Sequence, residues 1–394
     1  MNEQLIVKNF GPIKDATVDF KRVTVFIGPT GGGKSTLAKL AAVFRNSYWS
    51  SGMRNDKTKA FEELLNSFLI LDFIRKTGSA EWLSPKGNAL YNESGLEHDN
   101  SKQSELTLAR HDIYNYIQER LNGLKIDFDS IPAFQTQLAI SSLVDDSSIV
   151  EYIPADRGFA AAIDNSIAGL TLKDIALPEA LLFFLNDFQM AKSNLALNPL
   201  KISFLNNISY QIINKQVRIL LDNDDTITLS SSASGIQAVV PMMLVINDAS
   251  SLRSKIKPHS FIIEEPELNL YPTAQQGLLN WLVEKCTKGE NDLTITTHSP
   301  YLLSHLNLLL FAFQVAEKHP DRADEIAKII PRESWIDPKE FSAYHVEGQQ
   351  ENGVRSIVNP ETGLISYNGL DAIASAETAE FEKLLDINAG LAVE

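Results

Sequence analysis

The chain has 394 residues, 44% of them hydrophobic, and a formal net charge of −15. That length holds one large domain with an insertion, or two domains, around a sizeable core. The acidic balance excludes whole-molecule attraction to nucleic acid and leaves only a local basic patch for such contact, while the single cysteine, Cys286, excludes a disulfide framework or a cysteine-rich metal site and points to a cytoplasmic setting.

In chain order, Met1-Asn2-Glu3-Gln4 leads straight into a strand-like segment, so no export leader is expected. Residues 4–8 and 16–20 read as two short strands joined by Asn9-Phe10-Gly11-Pro12, whose Gly-Pro pair marks a turn. A third strand, 23–27, runs into Gly28-Pro29-Thr30-Gly31-Gly32-Gly33-Lys34-Ser35-Thr36. This spacing fits G-x-x-x-x-G-K-[ST], in the strand–loop–helix setting that a phosphate-binding loop requires. The glycines free the backbone to turn its N–H groups inward, so that loop amides and the helix start cradle the β- and γ-phosphates of a nucleotide. Lys34 supplies a mobile positive charge and Ser35 a hydroxyl for Mg²⁺. A helix with Leu37, Leu40, Ala41 and Phe44 on one face is predicted over 35–45.

From about residue 46 the character changes. Amphipathic helices are predicted over 60–75 and 111–124, a loop rich in Gly, Ser, Asn and Pro over 77–101, and a further helix over 177–190. No repeat or low-complexity tract occurs. Within this region 150–153 reads as a buried strand ending in Pro154-Ala155-Asp156-Arg157, where the Asp-Arg pair either faces a nucleotide or forms a surface ion pair.

Residues 210–221 and 225–229 read as a hairpin about Asp222-Asn223-Asp224. Ser230-Ser231-Ser232-Ala233-Ser234-Gly235-Ile236-Gln237 then opens an apolar helix, and a serine cluster in that place is first of all an N-cap. The strand 260–263 ends in the adjacent acids Glu264 and Glu265. In open α/β sheets, ligands bind beyond the carboxyl ends of the strands. That places Glu264 to hold Mg²⁺ and Glu265 to orient or deprotonate a water for attack on the γ-phosphate. A second β-branched strand, 293–297, ends in His298, a donor within reach of the same phosphate. After a helix over 301–317, the tail predicts strands at 341–346, 354–358 and 364–367 and a closing helix at 377–385. Val346-Glu347-Gly348 superficially matches the first acid of a TOPRIM nuclease, but no strand ending in Asp-x-Asp follows, and it reads as an edge strand and turn. The apolar run at 308–313 falls short of the about 20 residues a membrane span needs.

Taken together, the phosphate loop, Ser234-Gly235-Ile236-Gln237, Glu264-Glu265 and His298 resemble the motif set of ABC-type ATPases. The likeness is strongest to the RecF/SMC/OLD branch of soluble ATPases, which includes those of bacterial anti-phage defence. It is carried by Leu5-Ile6-Val7-Lys8-Asn9-Phe10-Gly11-Pro12-Ile13, by Glu264-Glu265-Pro266-Glu267-Leu268-Asn269-Leu270-Tyr271-Pro272 and by Thr297-His298-Ser299-Pro300. Four departures stand out: no leading Leu in the signature, Ile236 where Gly is usual, Tyr271 where many relatives have His, and Glu264 where Asp is commoner.

The resemblance implies an α/β ABC-ATPase head (1–45 and 203–394), a mostly helical insertion (46–202) carrying one strand, and a small α+β tail. It further implies a homodimer that sandwiches ATP and Mg²⁺ between the phosphate loop of one copy and the Ser234-Gly235 signature of the other, with Glu265, Lys34 and His298 as catalytic residues. The expected role is an ATP-driven switch that controls a separate effector such as a nuclease or toxin. A RecF-like DNA-repair ATPase is the alternative, and a transporter ATPase or a nuclease in its own right fits less well.

Overall fold

The structure is a computed structural model that describes residues 3–50, 56–99, 148–164, 177–195, 199–205, 208–221, 225–251 and 257–366. In chain order the strands are β1 (Glu3–Phe10), β2 (Ile13–Phe20), β3 (Val23–Ile27), β4 (Ile74–Ser84), β5 (Gly87–Asn92), β6 (Gly95–Asp99), β7 (Ile149–Ile153), β8 (Leu200–Lys201), β9 (Ser209–Ile213), β10 (Gln216–Leu220), β11 (Thr226–Thr228), β12 (His259–Glu264), β13 (Asp292–Thr297), β14 (Phe341–Val346) and β15 (Val354–Ser356). The main helices are α1 (Lys34–Arg45), α2 (Lys57–Ser67), α3 (Glu179–Asn194), α4 (Ser234–Ser251), α5 (Pro272–Cys286) and α6 (Pro300–Lys318).

Six strands form the central sheet in the order β15-β14-β3-β13-β12-β7, parallel except for β15. The strand that feeds the phosphate loop, β3, lies near the middle of this sheet. β3, β12, β13 and β14 are buried along their whole length, as strands covered on both faces must be. Alternate side chains enter two cores: Val23, Val25, Phe261, Ile263 and Ala343 face α3–α6, whereas Phe26, Ile262, Tyr344 and Val346 face α1 and α2. Register places Ile27, Thr297, Glu264, Ile153 and Val346 along one edge of the sheet, the carboxyl edge.

Arg45 joins the two halves of the structure. Its guanidinium bonds Glu3 on β1 at 2.7 Å, Ser260 on β12 at 2.7 Å and Asp292 on β13 at 3.0 Å, and lies over the rings of Phe20 and Trp82. Burial pushes the Asp292 carboxyl up to about 6, with the Arg45 cation opposing it.

Several expectations are corrected. The described part of 77–101, residues 77–99, is not a loop: β4, β5 and β6 extend the β2-β1 pair into a five-stranded antiparallel sheet, burying Ala80, Trp82, Ala89 and Tyr91 on one face. The helix expected over 60–75 stops at Ser67. Leu69 takes a left-handed φ of 55°, with Leu69 N–H donating to the Asn66 carbonyl and Ile70 N–H to that of Leu65. This pattern ends a helix even though leucine stands where glycine is usual. Residues 210–221 are two strands, because Asn214 and Lys215 both adopt positive φ and make a tight turn between β9 and β10. β14 is not an edge strand, since β15 flanks it and it pairs with β3. Of the expected strand at 364–367, the described part holds an isolated bridge between Val358 and Ile365. The expected helices at 111–124 and 377–385 lie outside the described residues, as does the turn at 222–224. Among the described residues, no helix is long and apolar enough to cross a membrane.

Candidate functional site

The phosphate loop leaves the buried end of β3 and returns as the first turn of α1. Gly33 caps that helix with a φ of 105°, a value that favours glycine. The loop leans on the end of β14. Gly348 N–H donates to the Gly32 carbonyl at 2.8 Å, and a Cβ at Gly28 or Gly32 would run into the Val346 carbonyl. The stretch that resembled a nuclease motif is thus the wall behind the loop. Pro29, Thr30 and Gly31 are exposed at its tip, Ser35 is half-buried, and Gly32, Gly33, Lys34 and Thr36 are buried.

Lys34 Nζ donates to the carbonyls of Gly28 (2.9 Å) and Pro29 (3.0 Å) and lies 3.5 Å from His298 Nδ1. Burial lowers its pKa, opposed by the carboxylates of Glu265, Glu267 and Glu264. His298 Nε2 in turn stands 3.2 Å from Glu265 Oε1. Lys34, His298 and Glu265 therefore form one chain of contacts across the ends of β3, β13 and β12. Glu265 adopts a left-handed φ of 41° just past β12, and its N–H donates to the Thr296 carbonyl at 2.9 Å. That backbone turn separates the two acids. Glu264 is 7% exposed, with Oε2 at 3.4 Å from the Ala155 N–H and Oε1 buried without a hydrogen-bond partner among the described residues. The Tyr152 phenol beside it is pushed well above its usual range by burial and by Glu264. A buried carboxylate with one unsatisfied oxygen fits a hydrated divalent cation, which Glu264 and the Ser35 hydroxyl would hold.

The Pro154–Arg157 turn flanks Glu264, but Arg157 does neither thing expected of it. Its side chain is fully buried, and Asp156 is exposed. The guanidinium donates to four backbone carbonyls: Glu264 (2.6 Å), Glu265 (2.7 Å), Pro154 (3.2 Å) and Ala238 on α4 (3.2 Å). Burial pulls its pKa down to about 10, against the pull of Glu267, Glu265 and Glu264, so it stays charged at neutral pH. Arg157 is thus a clamp that fixes both acids to α4. Arg157→Met removes a buried charged donor from all four carbonyls, of which Glu265 keeps the Leu268 N–H and Pro154 the N–H of residue 157, so urea unfolding should give a stability loss of about 2 kcal/mol or more. A loss under about 0.5 kcal/mol would contradict the clamp.

Ser234 is exposed at the first turn of α4 and Gly235 is buried behind it. A Cβ on Gly235 would meet the Asn269 carbonyl at 2.7 Å, so only glycine lets the loop after Glu265 pack there. Among the described residues no hydrogen bond joins Ser234 or Gly235 to the phosphate loop of the same chain. The site residues thus fall into two groups. The loop, Glu264, Glu265 and His298 meet at the carboxyl edge of the sheet, and the start of α4 is joined to the two acids through Arg157. Glu267, to which sequence reasoning gave no role, is buried and accepts hydrogen bonds from Thr297 and His298. Its signal in the sequence is its place in the run 264–272 that carries the resemblance, three residues after Glu264.

The family described as AAA ATPase domain matches residues 1–125 and 100–303. No curated protein sequence matches the chain. Among solved structures, the SMC head domain from Thermotoga maritima shares 13% identity, with 77% of this chain and 92% of that chain covered and a TM-score of 0.38. An SMC head bound to the C-winged helix domain of ScpA shares 10% identity, with 77% and 91% covered and a TM-score of 0.41.

Proposed function

The chain belongs to the AAA ATPase domain family and is an ATPase, and on that premise we propose that it binds ATP with Mg²⁺ between two copies of itself and uses hydrolysis as a switch. The loop amides of residues 28–36 and the Lys34 ammonium hold the β- and γ-phosphates. Glu265 accepts the proton of the attacking water, and His298, between Glu265 and Lys34, donates toward the γ-phosphate. Ser35 and Glu264 would hold Mg²⁺, which would supply neutralising charge at the phosphates. Ser234 Oγ and the Gly235 N–H complete the site of the other copy. The observation that carries this reading is the Lys34–His298–Glu265 chain, spaced at 3.5 and 3.2 Å where three strand ends meet.

Ser234→Arg tests the sandwich. It should leave ATP binding to a single head within about threefold of wild type. By light scattering with ATP and Mg²⁺, the variant should stay at the 43.7 kDa monomer mass while wild type doubles. A Ser234→Arg variant that still doubles in mass with ATP removes Ser234 from the interface.

The partner served by the switch is a separate effector, a nuclease or toxin, in prokaryotic anti-phage defence. This setting rests on the motif resemblance alone, and the proteins that co-purify with the chain test it. DNA-stimulated, salt-sensitive turnover would favour the RecF-like repair role instead.

A further inference from the structure

Glu267 takes no part in the reading above, yet it is buried in the site and accepts two hydrogen bonds there. It is 8% exposed, in the loop that turns back after Glu265. Its Oε1 accepts the Thr297 hydroxyl at 2.6 Å and the His298 N–H at 3.0 Å. The carboxylate thus holds the backbone of the residue whose imidazole faces Lys34 and Glu265. An ionised acceptor makes such bonds shorter and stronger than a neutral one.

The bonds continue beyond His298. Thr297 Oγ1 accepts from Ser299 N–H at 2.9 Å, Ser299 Oγ donates to Gln275 Oε1 at 2.6 Å, and Gln275 Nε2 donates to the Leu270 carbonyl at 2.9 Å. Leu270 N–H donates to the Glu267 carbonyl at 3.0 Å, which closes the ring. Asn269 and Leu270 are the residues that back Gly235. One closed circuit therefore ties the strand end bearing His298 to the loop beneath the serine-tipped helix. The second oxygen of Glu267, Oε2, is buried with no hydrogen-bond partner among the described residues, and the Arg157 and Lys34 cations supply its compensating field.

We propose that Glu267 is a positioning residue for ATP hydrolysis: its carboxylate sets His298 against Lys34 and Glu265 and locks the loop on which the start of α4 rests. The proposal rests on the ATP-sandwich reading and adds a residue to it.

Full-length Glu267→Ala and Glu267→Gln, beside Glu265→Gln and wild type, are assayed for kcat, KM for ATP, affinity for a fluorescent ATP analogue, and melting temperature. Glu267→Ala should lower kcat about 10- to 100-fold while KM and nucleotide affinity stay within about threefold, because misplacing a catalytic group costs rate before binding. Glu267→Gln keeps an oxygen that accepts both bonds and should regain most of that rate. If Glu267→Ala does not fold, the near-isosteric Thr297→Val takes its place, with the same loss of kcat at intact affinity expected. Glu267→Ala or its substitute turning over at the wild-type rate, or losing affinity in step with kcat, overturns the proposal. Glu265→Gln at the wild-type rate would instead strike the base assignment, so the two failures are distinguishable.

Discussion

Lys34→Ala is expected to abolish ATP turnover, with a fall of at least about 100-fold, and to weaken nucleotide binding, while the fold survives. The Lys34 ammonium is buried and held by the carbonyls of Gly28 and Pro29, three carboxylates facing it. It is the side-chain cation of the phosphate loop, and no other group of that loop can replace its charge. Alanine is the best helix former, so α1 should still start just after its Gly33 cap and melting should change little. Steady-state turnover and binding of a fluorescent ATP analogue check this. Unchanged turnover would show that the loop does not hold the reacting phosphates.

Glu265→Gln should separate binding from chemistry. The amide has the shape of the carboxylate but is a far weaker proton acceptor, and removing a positioned base costs about 10²- to 10⁴-fold in kcat. Its backbone is fixed independently of the side chain, by the Thr296 carbonyl on one side and the Arg157 guanidinium on the other. The variant should therefore bind ATP as wild type does and accumulate as the ATP-bound dimer. Single-turnover kinetics with radiolabelled ATP, paired with light scattering, would show a bound, unhydrolysed nucleotide. Normal hydrolysis by this variant would move the base to another residue.

Much of this site was legible before any coordinates, and the reason is local. A phosphate loop needs glycines, a lysine and a hydroxyl at fixed spacing within nine residues, so the chemistry is written in one stretch. The paired acids were legible for the same reason, as an apolar strand ending in Glu264-Glu265. Arg157 was not, because nothing near it in sequence reveals that its four acceptors come from residues 154, 238, 264 and 265. Glu267 was hidden likewise, its donors lying 30 and 31 residues away. The sheet formed by β4 to β6 was missed although Ala80/Trp82 and Ala89/Tyr91 alternate on the buried face. The Gly, Ser and Asn residues between them mark tight turns between strands as readily as they mark a loop. The β9–β10 turn escaped because Asn214-Lys215 lacks the glycine that usually announces it.

The most direct measurement is a structure of the Glu265→Gln protein with ATP and Mg²⁺. The account predicts a γ-phosphate gripped from both sides, by residues 28–36 of one copy and by Ser234 Oγ and the Gly235 N–H of the other at about 2.7–3.2 Å. A phosphate whose neighbours all belong to a single copy, with residues 234 and 235 distant in every pairing, would contradict it.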